Sequence, residues 1–384
     1  MRTVLLGLAL VVLGGVAIAT GLLPAAQALA VGERVWPILL FVTAITIVTE
    51  LAAEAGLFAA VAQAMSRGGL HRAIVLWLLV VVLATVSTIF LSLDTTAVLI
   101  TPVVVSVARH VGLPPLPFAL TTVWLANTAS LLLPVSNLTN LLAAGPVAGD
   151  SPLRFAALML APAVVAIVVP TVVLFVVFRR QLAGRYEAGQ RTAPVDRVLF
   201  VASAVVIVVL LPALVSGVPV WIPAVIAAVI LVGLFTVRKR STLRISLIPW
   251  QLVLLACGLF LVIATASDLG LARALGTVAS PGQGFSSLLR LAGTGAVASN
   301  AVNNLPAYLA LEPVAGSPLR LAALLIGTNA GPLITPWASL ATLLWHDRLK
   351  GLGVETPWSR YLVLGLIVVP ITVVAAVASL AIVG

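Results

Sequence analysis

Long apolar runs separated by short polar stretches make up almost the whole chain. A membrane-spanning helix needs about 20 mainly apolar residues, and many of these runs are that long. We predict spans at 4–23, 35–64, 73–110, 116–146, 153–179, 198–216, 219–238, 248–277, 284–311, 318–345 and 359–383. The first run has a basic start, as signal peptides do, but its length favours a retained helix. The predicted fold class is an all-α polytopic membrane protein.

Two of the runs contain polar residues near their middle, yet each is too short for two full spans with a loop. The interrupting residues are Ser92, Asp94, Thr95 and Thr96 in 73–110, and Ser299, Asn300, Asn303, Asn304 and Pro306 in 284–311. Irregular backbone is not tolerated against lipid, so such tips must be buried in protein or line a cavity. We therefore predict a re-entrant helical hairpin in each half of the chain.

A polar string with a central proline also occurs in each half. Proline removes a helical hydrogen bond, so each copy predicts a broken helix, in 116–146 and in 318–345. The polar residues are Asn127, Ser130, Ser136, Asn137, Thr139 and Asn140 around Pro134, and Thr328, Asn329, Thr335, Ser339 and Thr342 around Pro336. Broken helices at matching places in two halves are the best sequence sign of a transporter's binding site. The bland alternative is that these side chains only join helices to one another.

The distribution of basic residues gives a topology. We place the arginine-rich loop 179–197 in the cytoplasm, which leaves five of the 21 lysines and arginines outside: Arg34, Arg154, Arg273, Arg290 and Arg320. The N-terminus is then cytoplasmic, the C-terminus lies outside, and the two halves run in opposite directions. The predicted parts are an N-terminal helix and outer loop (1–34), repeat 1 (35–179), a cytoplasmic linker with a connecting helix pair (180–247), and inverted repeat 2 (248–384).

Composition excludes several classes of function. The chain is 62% hydrophobic and 8% charged, whereas soluble domains carry about 25% charged residues. The net charge of +10 sits in loops between spans, so we do not expect nucleic-acid binding. The only lysines, Lys239 and Lys350, are not part of a phosphate-binding loop, and the one cysteine, Cys257, cannot form a multi-thiolate metal site. We predict no cofactor, no metal and no enzymatic activity.

Asp94 is the one carboxylate that we place near the middle of the membrane. Burying a charge there costs about 2.5–3.5 kcal/mol on insertion scales, so such a residue is a functional candidate by default. A proton-carrying role and a helix-capping role at the hairpin tip both fit the residue type. Glu50 and Glu54 fall near a span end, where an interfacial role is the simpler prediction.

The motifs together resemble the arsenite/antimonite efflux pump family (ArsB-type) of the ion transporter superfamily. Besides the first polar string, the resemblance rests on Leu-Asp94-Thr-Thr-Ala-Val-Leu-Ile-Thr-Pro102, Val-Asn303-Asn304-Leu-Pro306 and Gly331-Pro-Leu-Ile-Thr-Pro336-Trp-Ala-Ser-Leu-Ala-Thr-Leu-Leu-Trp345. It implies two hairpins, two broken helices and an ion-driven cycle. It also implies export of trivalent arsenite or antimonite, driven by the proton-motive force alone or with a soluble ATPase. The chain departs from the family pattern at Asn127 and Asn329, where the family usually has Asp, at Leu93 in place of Asn, and at Leu333 in place of Lys.

We predict a secondary-active exporter in the cell (inner) membrane, with a small inorganic or organic solute, a coupling ion (H⁺ or Na⁺) and the lipid bilayer as partners. A soluble ATPase and a homodimer stay open as further partners. The predicted substrate- and ion-binding residues are Asp94, Thr95, Asn127, Ser130, Ser136, Asn137, Asn140, Asn303, Asn304, Thr328, Asn329, Thr335 and Ser339, with helix breaks at Pro134 and Pro336. The alternatives are a sodium-coupled di/tricarboxylate symporter, a sodium/proton antiporter, and a membrane protein without transport.

Overall fold

The structure, a computed structural model, describes residues 2–187, 196–276 and 282–383. These residues form α-helices joined by short turns, with one isolated β-bridge between Arg72 and Arg185. In chain order the helices are α1 (Arg2–Ala19), α2 (Ala25–Glu54), α3 (Leu57–Gly68), α4 (Ala73–Leu91), α5 (Leu93–Thr95), α6 (Thr101–His110), α7 (Pro115–Thr128), α8 (Leu138–Ala148), α9 (Pro152–Leu182), α10 (Arg197–Ala213), α11 (Trp221–Arg238), α12 (Trp250–Asp268), α13 (Leu271–Gly276), α14 (Phe285–Val302), α15 (Asn304–Ala315), α16 (Pro318–Ala330), α17 (Leu340–Gly351) and α18 (Trp358–Val383).

Short turns of other helical types lie beside the breaks and in one connection. They are a π-turn at Thr96–Ile100 and 3₁₀ turns at Ala129–Leu131, Pro134–Ser136, Arg240–Thr242 and Ile245–Leu247. Among the described residues, six helices are long and apolar enough to cross a bilayer: α2, α4, α9, α11, α12 and α18. The all-α membrane fold class predicted from the sequence is confirmed.

Both predicted hairpins contain a sharp backbone break. In the first, Ser92 (φ 94°, ψ 158°) separates α4 from α5; in the second, Asn303 (φ 130°, ψ 156°) separates α14 from α15. Residues other than glycine rarely adopt such backbone angles, so the surrounding structure must hold both tips in place. In each hairpin the first arm is the longer one, with 19 residues in α4 and 18 in α14.

One predicted span, 35–64, has different boundaries in the structure. Helix α2 starts at Ala25 and stops at Glu54, and α3 follows as a separate helix. Gly56 has φ 85°, which only glycine adopts without strain, so the chain turns there. Gly270 (φ 101°) divides α12 from α13 in the same way. The connection between α1 and α2 accordingly spans residues 20–24, because α2 begins ten residues before the predicted span.

The two broken helices lie at the centre of the molecule. Nearly every residue of α7 and α16 is buried, whereas α9, α11 and α18 keep apolar side chains on the outside. Helix α7 packs against α4 and α9, while α16 packs against α14 and α18 in the corresponding arrangement. This likeness supports the predicted pair of repeats, whose boundaries at 35–179 and 248–384 stay a prediction. Part of the linker, including Arg191, lies outside the described residues.

Candidate functional site

The two hairpin tips use the same local chemistry. The hydroxyl oxygen of Ser92 accepts a hydrogen bond from the amide of Thr95 (3.4 Å), and the side-chain oxygen of Asn303 accepts one from the amide of Leu305 (3.2 Å). Each residue thereby caps the helix that begins directly after it. The cap at the first tip is therefore Ser92, which leaves the carboxylate of Asp94 available for another role.

A small cavity lies where the hairpin tips meet the broken helices. We call it the central cavity; it has a volume of about 60 Å³. Its polar lining residues are Thr46, Ser92, Asp94, Asn137, Asn303, Asn304 and Ser339. A single water needs about 10–15 Å³ by this measure, so the cavity holds a solute of only a few atoms. Asp94 is the one charged residue among those that line it.

The first break exposes backbone carbonyls, and neighbouring side chains bind them. Asn140 donates from its amide nitrogen to the carbonyl oxygens of Ser130 (2.6 Å) and Leu133 (3.1 Å). Ser136 donates to the carbonyl oxygens of Leu133 (2.8 Å) and Ile89 (3.0 Å), which attaches the break to α4. These residues satisfy backbone groups that the proline-broken helix leaves without partners. They hold the break in shape rather than line the central cavity.

The second break is organised by Asn300, a residue that the sequence analysis noted in the hairpin but did not include in the site. Its side-chain oxygen accepts from the amides of Ile334 (3.1 Å) and Thr335 (3.0 Å), and its amide nitrogen donates to the carbonyl of Gly331 (2.8 Å). Its own carbonyl accepts from the indole of Trp337 (2.8 Å). An asparagine one helical turn before the hairpin tip is the signal that could have identified it.

Asn329 connects the two halves of the site. Its side-chain oxygen accepts from the amide nitrogen of Asn137 and from the hydroxyl of Thr139 (3.1 Å). Its amide nitrogen donates to the side-chain oxygen of Asn140 (2.6 Å). All of these groups are buried. The end of α16 is thus held against the start of α8 by three side-chain hydrogen bonds.

Asn127 holds the matching position in the first half but is bonded differently. Its amide nitrogen donates within its own helix to the carbonyl of Val123 (2.9 Å). Its side-chain oxygen is buried and has no hydrogen-bond partner among the described residues. The same is true of the hydroxyls of Thr128 and Ser339. The polar strings therefore match in sequence but not in bonding.

Two further cavities follow one another on one side of the central cavity. The first, which we call the inner cavity, has a volume of about 410 Å³ and shares Thr46, Asp94, Leu252 and Leu340 with the central cavity. Thr95 and Glu50 also line it. The second, the entrance cavity, is likewise about 410 Å³ and shares Glu50 with the inner cavity. Asp94 is thus approached from one end of the molecule through a row of cavities.

The opposite end is more closed. A cavity of about 480 Å³ there is lined by Arg34, Pro134 and Asp150, and it meets the central cavity only at Leu141. Next to it, Arg34 forms an ion pair with Glu312, which also accepts a hydrogen bond from Tyr308 (3.1 Å). This ion pair joins α2 to α15. The central cavity is therefore separated from this end by packed side chains and an ion pair.

The predicted site residues fall into two sets. Asp94, Asn137, Asn303, Asn304 and Ser339 line the central cavity, and Thr95 lines the inner cavity. A second set lies in the packed layer behind: Asn127, Ser130, Ser136, Asn140, Thr328, Asn329 and Thr335. Of the prolines at the breaks, Pro134 lines the cavity of about 480 Å³ at the closed end, and Pro336 lies in the turn between α16 and α17.

No group of three His, Cys, Asp or Glu side chains in the described part of the chain is placed to hold a metal ion. The donors around Asp94 are instead hydroxyl and carboxamide groups, which suit hydrogen bonding to a small polar solute or coordination of a light cation.

Comparison with known proteins identifies relatives of the chain. A family model of citrate transporters matches residues 1–342. The "Arsenical pump membrane protein" of Escherichia coli (strain K12) is 30% identical over 377 residues, which cover 91% of this chain and 87% of that protein. The "Putative arsenical pump membrane protein" of Bacillus subtilis (strain 168) is 27% identical over 372 residues, 85% and 83% of the two chains.

Among solved structures, the Alcanivorax borkumensis YdaH transporter, described as having an unusual topology, superposes with a TM-score of 0.56. The match covers 92% of this chain and 86% of that one, at 17% sequence identity. At that identity the likeness concerns the fold alone.

Proposed function

The chain belongs to the citrate transporter family of the ion transporter superfamily and is a multi-pass membrane transporter, and on that basis we propose that it exports arsenite and antimonite in exchange for protons. The observation that carries the proposal is the central cavity, which is small, lined by hydroxyl and carboxamide groups, and contains one carboxylate. The similarity to arsenical pump membrane proteins over 91% of the chain supports the same substrate.

The chemistry of the cavity suits arsenous acid. This solute is mostly neutral near pH 7 and carries three hydroxyl groups that donate and accept hydrogen bonds. Asn137, Asn303 and Asn304 offer both donors and acceptors, and the carboxylate of Asp94 accepts from a solute hydroxyl. A protonated Asp94 loses most of that acceptor strength, so the solute and the proton compete for the same place. Competition of this kind gives exchange of one for the other.

The cavities suggest a direction. Basic residues Lys239, Arg244 and Arg348 line the entrance cavity, so we assign that end to the cytoplasm. The structure then corresponds to a state open to the cytoplasm and closed on the outside by packing around Leu141 and by the ion pair of Arg34 with Glu312. In this state arsenous acid reaches the central cavity from the cytoplasm. Opening of the opposite end would release it outside and admit a proton to Asp94.

A di- or tricarboxylate substrate fits less well, because no lysine or arginine lines the central cavity and Asp94 would repel an anion. A sodium/proton antiporter is the second candidate. Its supporting observation is that a carboxylate lies among hydroxyl and amide oxygens, which are ligands that Na⁺ accepts. Binding of a soluble ATPase and formation of a homodimer stay separate proposals, because neither would involve the central cavity.

The proposal is tested by expressing the chain in a bacterium without its own arsenite efflux. Wild-type protein should restore growth on arsenite and lower the arsenic content of the cells, whereas Asp94→Asn should do neither at equal membrane abundance. A matched control is Glu187→Gln, which removes an exposed carboxylate near the start of the linker and outside the central cavity. Unchanged arsenic content with wild-type protein, together with sodium-dependent proton movement in vesicles, would favour the antiporter instead.

A further inference from the structure

Three side chains in the C-terminal half of α2 form a polar row. Thr46, Glu50 and Glu54 are four residues apart, so they lie on one face, about 6 Å from one another along the axis. Thr46 lines both the central and the inner cavity, Glu50 both the inner and the entrance cavity, and Glu54 the entrance cavity alone. The row thus follows the cavities from the surface toward Asp94.

The two glutamates of this row differ in their partners. The carboxylate of Glu54 is held by the ammonium group of Lys239 at 3.1 Å. The carboxylate of Glu50 makes no hydrogen bond and no ion pair within the described residues. A carboxylate that is half-buried, free of a fixed partner and exposed to two cavities is suited to exchanging protons with water.

Glu50 and Asp94 line the same inner cavity, and hydroxyl groups of their chain neighbours are hydrogen-bonded to one another. Thr49 is adjacent to Glu50, and its hydroxyl accepts a hydrogen bond from the hydroxyl of Thr95 (3.4 Å), which follows Asp94 in the chain. The inner cavity, at about 410 Å³, has room for many water molecules. A proton can therefore pass between the two carboxylates through water.

From this arrangement we propose that Glu50 relays protons between Asp94 and the entrance cavity. The inference rests on the proposed proton-coupled function and adds a second residue to it. In the state open to the entrance, protonated Asp94 gives its proton through water to the Glu50 carboxylate and becomes a carboxylate that binds the solute. Protonated Glu50 then releases the proton to water in the entrance cavity and returns to its charged form. No proton is gained or lost overall.

The charged groups around Glu50 are part of the proposal. Arg348 on α17 and Glu54 on α2 act on it electrostatically, and Lys239 and Arg244 line the same entrance cavity. Burial and the carboxylate of Glu54 favour the neutral form of Glu50, whereas Arg348 favours its charged form, so opposing influences act on the proton that Glu50 carries. Glu50 is a positioning and relay residue, since it does not line the central cavity where the solute binds.

The test compares two transport modes in everted membrane vesicles. One is uptake of arsenite driven by a proton gradient; the other is exchange of labelled for unlabelled arsenite without a gradient, which needs the binding site but no net proton transfer. We expect Glu50→Gln to slow gradient-driven uptake about tenfold or more while exchange stays within about twofold of wild type. Glu50→Asp, which keeps the carboxylate, should restore most of the driven uptake. The control is Glu187→Gln, which removes an exposed carboxylate that lines none of the three cavities and should change neither mode.

The pH profile of driven uptake between about pH 5.5 and 8.5 supplies a second readout that a merely structural residue would not move. Glu50→Gln should flatten it and Glu187→Gln should not. A profile and a driven rate identical to wild type in Glu50→Gln would overturn the relay while leaving the exporter intact. Equal loss of both modes would also overturn it, because it would show a binding or folding defect. If wild-type vesicles move no arsenite in either mode, the proposed function itself fails, and the relay with it.

Discussion

Asn329→Ala should destabilise the protein far more than Asn127→Ala, although the two residues hold matching positions in the duplicated polar string. Asn329 makes three side-chain hydrogen bonds to α8, to Asn137, Thr139 and Asn140. Asn127 makes one, to the carbonyl of Val123 in its own helix. The two asparagines are equally buried, at 1% exposure each, so loss of side-chain volume affects both variants alike.

The magnitude follows from the number of bonds. Hydrogen bonds between membrane helices contribute about 0.6 kcal/mol on average and up to about 1.7. Three of them give about 2–5 kcal/mol for Asn329→Ala, against about 0.6 kcal/mol for Asn127→Ala. The predicted gap of more than 1 kcal/mol corresponds to roughly a tenfold difference in the unfolding equilibrium.

The assay is reversible unfolding of the purified protein in mixed micelles of a mild detergent and dodecyl sulfate, followed by helical circular dichroism. The free energy of unfolding is compared among wild type, Asn329→Ala, Asn127→Ala and the double variant. Equal destabilisation by the two single variants, or a larger effect at Asn127, would refute the claim that the hydrogen bonds of Asn329 hold the two halves together. Such a result would indicate that the two halves are bonded symmetrically.

Two further predictions concern packing at glycine residues and the N-terminal cap of α10. A Cβ atom at Gly327 would lie 2.1 Å from the carbonyl oxygen of Ala292, so Gly327→Ala should sharply reduce the yield of folded protein. At Gly233 nothing lies within 4 Å of such an atom, so Gly233→Ala should be neutral or slightly stabilising. Size-exclusion profiles of the detergent-solubilised variants check both. The amide of Leu199 and the guanidinium of Arg238 hold the pKa of the Asp196 carboxyl below its usual range. The stabilising contribution of Asp196 should therefore be present above about pH 4 and be lost as the pH falls through the lowered pKa. Thermal unfolding of Asp196→Ala should therefore differ from wild type at neutral pH and approach it in acid, and a difference independent of pH would contradict this account.

Much of the fold could be predicted because membrane helices follow directly from apolar length. The two hairpin breaks at Ser92 and Asn303 were also predictable, since polar residues inside an apolar run need an irregular, protein-covered place. The division of 35–64 at Gly56 was not found, because both neighbouring segments are apolar and a single glycine is tolerated in a helix. Length alone could not show where the first of these helices stops.

The site was harder to predict in detail because residue type does not determine bonding. Asn127 and Asn329 have matching sequence surroundings, yet only Asn329 reaches across to the other half. Asn300 and Glu50 were noted in the sequence but not included in the predicted site, for a similar reason. The function of each depends on what packs against it, a turn of backbone for Asn300 and a pair of cavities for Glu50, and these come from distant parts of the chain.

The central claim, that a solute and a proton compete at Asp94, is tested most directly by arsenite uptake into everted vesicles. With wild-type protein we expect uptake when a proton gradient is imposed, collapse of that uptake by a protonophore, and no effect of replacing sodium with potassium. Asp94→Asn should abolish the response to the gradient. Uptake that persists in Asp94→Asn, or that follows the sodium gradient rather than the proton gradient, would contradict the account.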